Sequence, residues 1–189
     1  MVYENGFGKT ITVQGFMGSK LQREYMFELG KQCSCAAEIG SWKGFSAAIV
    51  GLGMAERKTK GKYYCIDTFE STNTELVYED TWEIFNQVIN ILNLVDIVVP
   101  VRGYSCDPKV WQQIPSNLDF VYIDGCHEAV SVLYDTVVYA PKVKPDGFVF
   151  YHDHPWKTVQ EGINLALELK LIQFIGIIDD FGIYSPIRS

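Results

Sequence analysis

Residues 118–154 read LDFVYIDGCHEAVSVLYDTVVYAPKVKPDGFVFYHDH. The apolar run LDFVYI ends at Asp124-Gly125, and a second apolar run, GFVFY, ends at His152-Asp153-His154. Between them, about Val130–Tyr139 carries apolar residues at helical spacing. Two short apolar runs joined by a helix make a strand–helix–strand unit, whose strands run parallel and are buried on both faces.

The same alternation extends outward in both directions. Residues 19–32 place Leu21, Tyr25, Met26 and Leu29 at helical spacing and predict a helix. Then come the strand CAAEIGS ending at Gly40, a helix over 44–57, and the strand KYYCIDTF. A long helix is predicted from about Tyr78 to Leu92, followed by the strand DIVVPVRG and a helix around Pro108–Gln113. After the quoted unit, residues 156–169 read as a helix. LIQFIGIID and FGIYSPI then form a hairpin over Asp179-Asp180-Phe181-Gly182. The expected fold is α/β: a doubly wound, mostly parallel seven-stranded sheet with an antiparallel C-terminal hairpin.

The chain has 189 residues and shows no repeat or linker, so residues 1–189 are read as one domain. A formal net charge of −7 and no dense basic cluster argue against nucleic acid as a partner. No apolar run is long enough for a membrane span, and the N-terminus lacks the order of a signal peptide, so a cytoplasmic home is expected. The five cysteines include no CxxC pair, which argues against a zinc site or a disulfide framework. Most are read as reduced core thiols.

In doubly wound sheets the ligand lies beyond the carboxyl ends of the strands. Those ends are Gly40, Asp67, Gly103, Asp124 and Asp153. An ionised carboxylate there is costly unless a ligand, a metal or backbone N–H groups meet it, and three of the five ends are aspartates. In EIGSWKGFS, Glu38–Ser46, Gly40 permits a sharp turn and Gly44 lets the helix start approach a ligand. The stretch lacks the G-K-[ST] ending of a phosphate-cradling loop. Asp67, some 20–30 residues after a glycine turn, suits ribose hydroxyls. All three histidines, His127, His152 and His154, lie in the turns after two of the strands. Two carboxylates plus an imidazole can hold a divalent cation, and an Asp or His can serve as general base.

Together these segments resemble the class I S-adenosylmethionine-dependent methyltransferases, whose fold is the Rossmann-like methyltransferase fold. The nearer likeness is to the bacterial small O-methyltransferases, with macrocin-type sugar O-methyltransferases and cephalosporin-hydroxylase-like proteins. The pattern E-I-G-S-x-x-G-x-S is matched by Glu38, Ile39, Gly40, Ser41, Gly44 and Ser46, and a second strand ending I-D by Ile66 and Asp67. The turn G-x-S is matched by Gly103 and Ser105, and I-D-G-x-H by Ile123, Asp124, Gly125 and His127, with Asp135 on the next helix. The ending H-D is His152-Asp153. Where that subgroup has P-G-G and an aromatic residue, this chain has Pro145-Asp146-Gly147 and Ala129.

The resemblance implies S-adenosylmethionine contacts at Glu38, Gly40, Ser41, Trp42, Gly44, Ser46, Asp67, Thr68, Gly103, Tyr104 and Asp124. The Gly40–Gly44 turn would lie under the methionine part, and Asp67 would take the ribose. It also implies methyl transfer to an oxygen, less readily a nitrogen, of a small molecule, and leaves room for a homodimer. His127 is the expected base, aided by Asp153. In metal-dependent relatives, Asp124, Asp153 and the following residue, here His154, would hold Mg2+, although magnesium prefers oxygen ligands. His152 is expected to be structural, facing away from Asp153 by strand alternation. Trp42, Tyr104, Trp111 and Trp156 are candidate pocket aromatics. A regulatory or sensor protein of the same fold is the main rival. A dehydrogenase ranks last, because the turn lacks G-x-G-x-x-G.

Overall fold

The computed structural model describes residues 2–4, 10–12, 18–58, 61–70, 72–74 and 77–188, so the reading of the N-terminal sixteen residues lies largely outside it. In chain order the elements are β1 (Val2–Glu4), β2 (Thr10–Thr12), α1 (Lys20–Gln32), β3 (Cys35–Ile39), α2 (Phe45–Ala55), β4 (Lys62–Asp67), β5 (Thr72–Thr74) and β6 (Val77–Glu79). They continue as α3 (Thr81–Ile91), β7 (Val98–Arg102), α4 (Pro108–Trp111), β8 (Leu118–Ile123), α5 (Ala129–Tyr139), β9 (Val143–Tyr151), α6 (Lys157–Glu168), β10 (Ile172–Ile178) and β11 (Phe181–Pro186).

The central sheet has seven strands in the order β10-β11-β9-β8-β3-β4-β7. From β9 through β8, β3 and β4 to β7 every pair is parallel, and β11 pairs antiparallel with both β9 and β10. Strand order reverses at β3, whose neighbours are β4 on one side and β8 on the other. The carboxyl ends there form the crevice that this topology reserves for ligands. The expected α/β fold with its C-terminal hairpin is the observed one.

Alternation along each strand feeds two apolar cores, one per face. Ala36, Cys65, Phe120 and Phe150 face one core, which α1, α2 and α3 cover with Met26, Ile49, Phe85 and Ile89. Ala37, Ile66, Val121 and Val149 face the other, with Val132 of α5 and Ile163 of α6. Each fully buried large apolar side chain stabilises the fold by about 1.5–3 kcal/mol. Covering both faces therefore forces the strands to be apolar throughout.

Several boundaries shift for local reasons. Ser19 caps α1 in a reciprocal capping box with Gln22. The long helix starts at Thr81 and not at Tyr78, because Asp80 accepts from the Glu83 N–H as its N-cap, while residues 77–79 pair with 72–74 as a ribbon. The final hairpin turns over Asp179 and Asp180 alone, and Phe181 is already paired with Ile178. The cysteines divide: Cys33 and Cys65 are buried, Cys35 is half-buried, and Cys106 and Cys126 are exposed.

Candidate functional site

At the end of β3 the chain must leave the sheet within one residue. Gly40 does so with φ +89, and a Cβ there would lie 2.0 Å from the Asp124 carbonyl oxygen, so only glycine fits. The Gly40 N–H donates to the Ile66 carbonyl, and the Asp124 N–H to the Ile39 carbonyl, which fuses the ends of β3, β4 and β8. Gly44 is the N-cap of α2, also left-handed at φ +81.

Above this junction lies a cavity of about 290 Å³. Its walls include Gly40, Trp42, Asp67, Thr68, Gly103, Tyr104 and Asp124 from the expected cofactor set, together with Ser105, Gly125 and Cys126. The Asp67 carboxylate is already oriented: Oδ2 accepts from the Trp42 N–H at 2.8 Å and Oδ1 from the Phe69 N–H at 2.7 Å. Lys43 Nζ lies 4.4 Å from the centre of the Trp42 ring, which is partly exposed.

Four expected cofactor residues do not line the cavity: Glu38, Ser41, Gly44 and Ser46 stand behind it. Glu38 is fully buried, and its Oε2 accepts from the Tyr63 hydroxyl at 2.8 Å. Burial pushes its carboxyl up to about 7, against the pull of the Ser41, Ser46 and Tyr63 hydroxyls. It buttresses the turn from beneath. Asp135 does the same below Gly125 and Ser105. Burial lifts it to about 6, against the Ser105 hydroxyl.

Next to the cavity, at the ends of β8 and β9, charged side chains converge. His127 Nε2 lies 2.9 Å from Asp153 Oδ2 and 3.8 Å from Asp124 Oδ1. His152 Nδ1 lies 3.0 Å from Asp124 Oδ1 and 3.2 Å from Asp153 Oδ2. The Tyr122 hydroxyl donates to Asp124 Oδ2 at 3.1 Å. Asp124 and then Asp153 hold the His127 imidazole above its ordinary value, partly opposed by burial. Burial would lower His152, but the Asp124, Asp153 and Asp180 carboxylates overcome it and lift the ring to about 9. Burial would likewise raise Asp124, yet the two imidazoles keep it below the usual carboxylate range. Trp156 lies against the His127 ring at 4.8 Å between centres. Trp111, the last residue of α4, packs instead against the core.

Two expectations are corrected here. His154 is not in the cluster. Its Nε2 lies 3.0 Å from the Tyr184 hydroxyl and 2.9 Å from Gln160 Nε2, behind the hairpin, and burial lowers its basicity. His152, expected to face away, sits among the carboxylates in its place. His152 keeps to the face of Phe150, packed on Tyr122 and Phe181, while Asp153, beyond the end of β9 at φ +48, departs from strand alternation and comes to the same side. Asp124, His152 and Asp153 each offer a ligand atom within 4.8 Å of the others, a set that suits a divalent cation. Sequence reading also missed Asp180, whose Oδ2 lies 3.8 Å from His152 Nε2. Only the pairing of β11 with β9 brings it there.

The family described as "Methyltransferase domain" matches residues 37–154. No curated protein matches the sequence. Among solved structures, the SAH-bound methyltransferase PaMTH1 of Podospora anserina is 12% identical, with a TM-score of 0.70 over 91% of this chain and 80% of its own. An O-methyltransferase from Bacillus cereus in complex with SAH is 16% identical, with a TM-score of 0.67 over 91% and 83%. A precorrin 8w decarboxylase of Methanobacterium thermoautotrophicum is 15% identical, with a TM-score of 0.62 over 92% and 93%. At these identities the likeness is one of fold, and the last case shows how far chemistry varies on it. No helix among the described residues is long and apolar enough to cross a membrane.

Proposed function

We propose, from the premise that this chain belongs to the methyltransferase-domain family and is an S-adenosylmethionine-dependent methyltransferase, that it methylates an oxygen of a small molecule. Within the family, the motifs at Glu38–Ser46, Ile123–His127 and His152-Asp153 favour the small O-methyltransferases, with the macrocin-type and cephalosporin-hydroxylase-like proteins as the nearer subgroup. The observation that carries the reading is the position of Asp124. It lines the cavity and also belongs to the His127–His152–Asp153 cluster, so a donor in the one lies against an acceptor at the other.

In this reading Asp67 would hold the cofactor's ribose and the Gly40 turn would lie under its methionine part. The acceptor hydroxyl's lone pair forms the new C–O bond while the S–C bond breaks. The bonding pair stays on sulfur, leaving a neutral thioether. The acceptor proton passes to His127, which must therefore be neutral when the acceptor binds. The Asp124 and Asp153 carboxylates would hold a divalent ion, whose positive charge would lower the hydroxyl's pKa and offset the pull of those carboxylates on His127. Pairing donor and acceptor supplies the rest of the rate, since displacement at carbon requires alignment more than covalent help.

The test is methyl transfer from labelled S-adenosylmethionine to a panel of hydroxylated and aminated small molecules, with products located by mass spectrometry. The expected result is O-methylation, with His127→Ala lowering turnover by about 100-fold and leaving S-adenosylhomocysteine affinity unchanged. Methylation at nitrogen alone would overturn the oxygen assignment. Unchanged turnover in the variant would overturn the base. Tight cofactor binding with no transfer to any acceptor would favour a sensor of the same fold.

A further inference from the structure

The donor set beside the cavity is not an all-oxygen one. Asp124 contributes Oδ1, Asp153 contributes Oδ2, and His152 contributes Nδ1. Ligand atoms bound about 2.1 Å from one ion and at right angles to each other lie about 3 Å apart. The two separations from His152 Nδ1, 3.0 and 3.2 Å, have that spacing, so the imidazole nitrogen can sit beside each carboxylate oxygen in one coordination sphere, with the remaining positions left to water or acceptor. The second carboxylate oxygen of Asp124 is engaged by the Tyr122 hydroxyl, which leaves Oδ1 directed at the cluster.

A ligating imidazole is typically held through its other nitrogen by a carboxylate or carbonyl. That partner is present: Asp180, in the turn between β10 and β11, places Oδ2 3.8 Å from His152 Nε2. Closed to hydrogen-bond distance, this pair would fix the proton on Nε2 and leave the Nδ1 lone pair for an ion. Phe181 and Tyr122 flank the ring edge-on at 5.4 and 6.1 Å and restrict its rotation.

Magnesium selects hard oxygen ligands and octahedral geometry, whereas imidazole suits manganese, iron, cobalt and zinc. We propose that Asp124, His152 and Asp153 form a site that selects a divalent first-row transition ion over magnesium, with Asp180 as the positioning residue that orients His152. The proposal rests on the reading of this cluster as the acceptor end of a methyltransferase site, but it is tested without catalysis.

The metal-free protein is titrated with Co2+, followed by its visible absorption and by calorimetry, and then challenged with Mg2+. S-adenosylhomocysteine binding is measured in parallel. The expected result is a protein-dependent Co2+ spectrum that persists in a 100-fold excess of Mg2+. His152→Asp, which makes the triad all-oxygen, should lose most of that preference while still binding S-adenosylhomocysteine. Asp180→Asn should weaken Co2+ binding by about 10–100-fold. Mg2+ displacing Co2+ at comparable concentrations in the native chain overturns the proposal whatever the variants do. So does an unchanged preference in a folded His152→Asp protein. S-adenosylhomocysteine binding with no ion bound sinks the metal site alone. Ion binding without S-adenosylhomocysteine binding sinks the cofactor reading and leaves the ion site standing.

Discussion

On the β3–β4–β7 side of the crevice, the positions of the polar groups are set by the backbone. Gly40 turns where no side chain fits, and the Asp67 carboxylate is held by two main-chain N–H groups. On the β8–β9 side, position is set by side chains meeting across elements: Asp124 from β8, His127 from the following turn, His152 and Asp153 beyond β9, and Asp180 from a hairpin. A site set by the backbone is written into a short stretch of sequence, because a glycine and an aspartate at strand ends suffice. A site assembled from side chains depends on where separate elements come to rest. The first half suits a constant ligand, and the second can be altered residue by residue without disturbing the sheet.

Gly40 is where the two halves touch, so changing it should have the largest effect. In Gly40→Ala the new Cβ would overlap the Asp124 carbonyl, a backbone atom that cannot swing aside, at a φ of +89 that alanine disfavours. We expect a stability loss of about 4 kcal/mol or more in urea titrations, together with loss of measurable S-adenosylhomocysteine binding. A variant with a native unfolding midpoint and native affinity would show that the junction yields, and that the halves are not joined there.

The second prediction concerns the support beneath the Gly40 turn. Glu38 has a carboxyl raised to about 7, from an ordinary value near 4.5. A carboxyl raised by folding binds its proton more tightly in the native state. Its contribution is therefore fully present below about pH 4.5 and is lost as pH rises through 7. Over that window the linked loss is at most about 3 kcal/mol. Glu38→Gln keeps an acceptor for the Tyr63 hydroxyl and removes the charge. Its stability should fall less than the native protein's between pH 5 and pH 8, and it should be the more stable of the two at pH 8. Parallel profiles by chemical denaturation would mean that the turn tolerates the buried charge at no cost.

The same contrast explains which features are legible in the sequence. Apolar strands and the helices between them carry their own periodicity, so the doubly wound sheet was legible from LDFVYI and GFVFY outward. So were the strand-end residues Gly40, Asp67, Gly103 and Asp124, all of which line the cavity. The choice between His152 and His154 was not. It turns on the left-handed backbone at Asp153, and a non-glycine residue in that conformation leaves no pattern in neighbouring residues. Asp180 was out of reach for another reason. Its place beside His152 follows from the register that sets Gly182 opposite Tyr151, a long-range pairing with no local signal. Asp80 was a misread signal of the opposite kind, a capping residue taken as part of a helix that it begins.

The smallest expected effect separates the halves most cleanly. Asp67→Ala removes a carboxylate that orders Trp42 and Phe69 through their N–H groups and that we place against the ribose hydroxyls. Hydrogen bonds to a charged group contribute about 1.5–3 kcal/mol. Water entering the gap repays part of that, so S-adenosylhomocysteine affinity should drop by roughly 10–30-fold, or about 1.4–2 kcal/mol. Asp67→Asn should fall between the two, because one amide oxygen still accepts while the NH2 group faces a main-chain donor. Neither change touches Asp124, His152 or Asp153, and Co2+ affinity at that cluster should stay within about 2-fold, as expected for sites that share no partner. Calorimetry of both ligands on the same preparations checks this. If Co2+ binding weakens in step with cofactor binding, the two halves form one cooperative unit, and the division between a backbone-set donor site and a side-chain-set acceptor site does not hold.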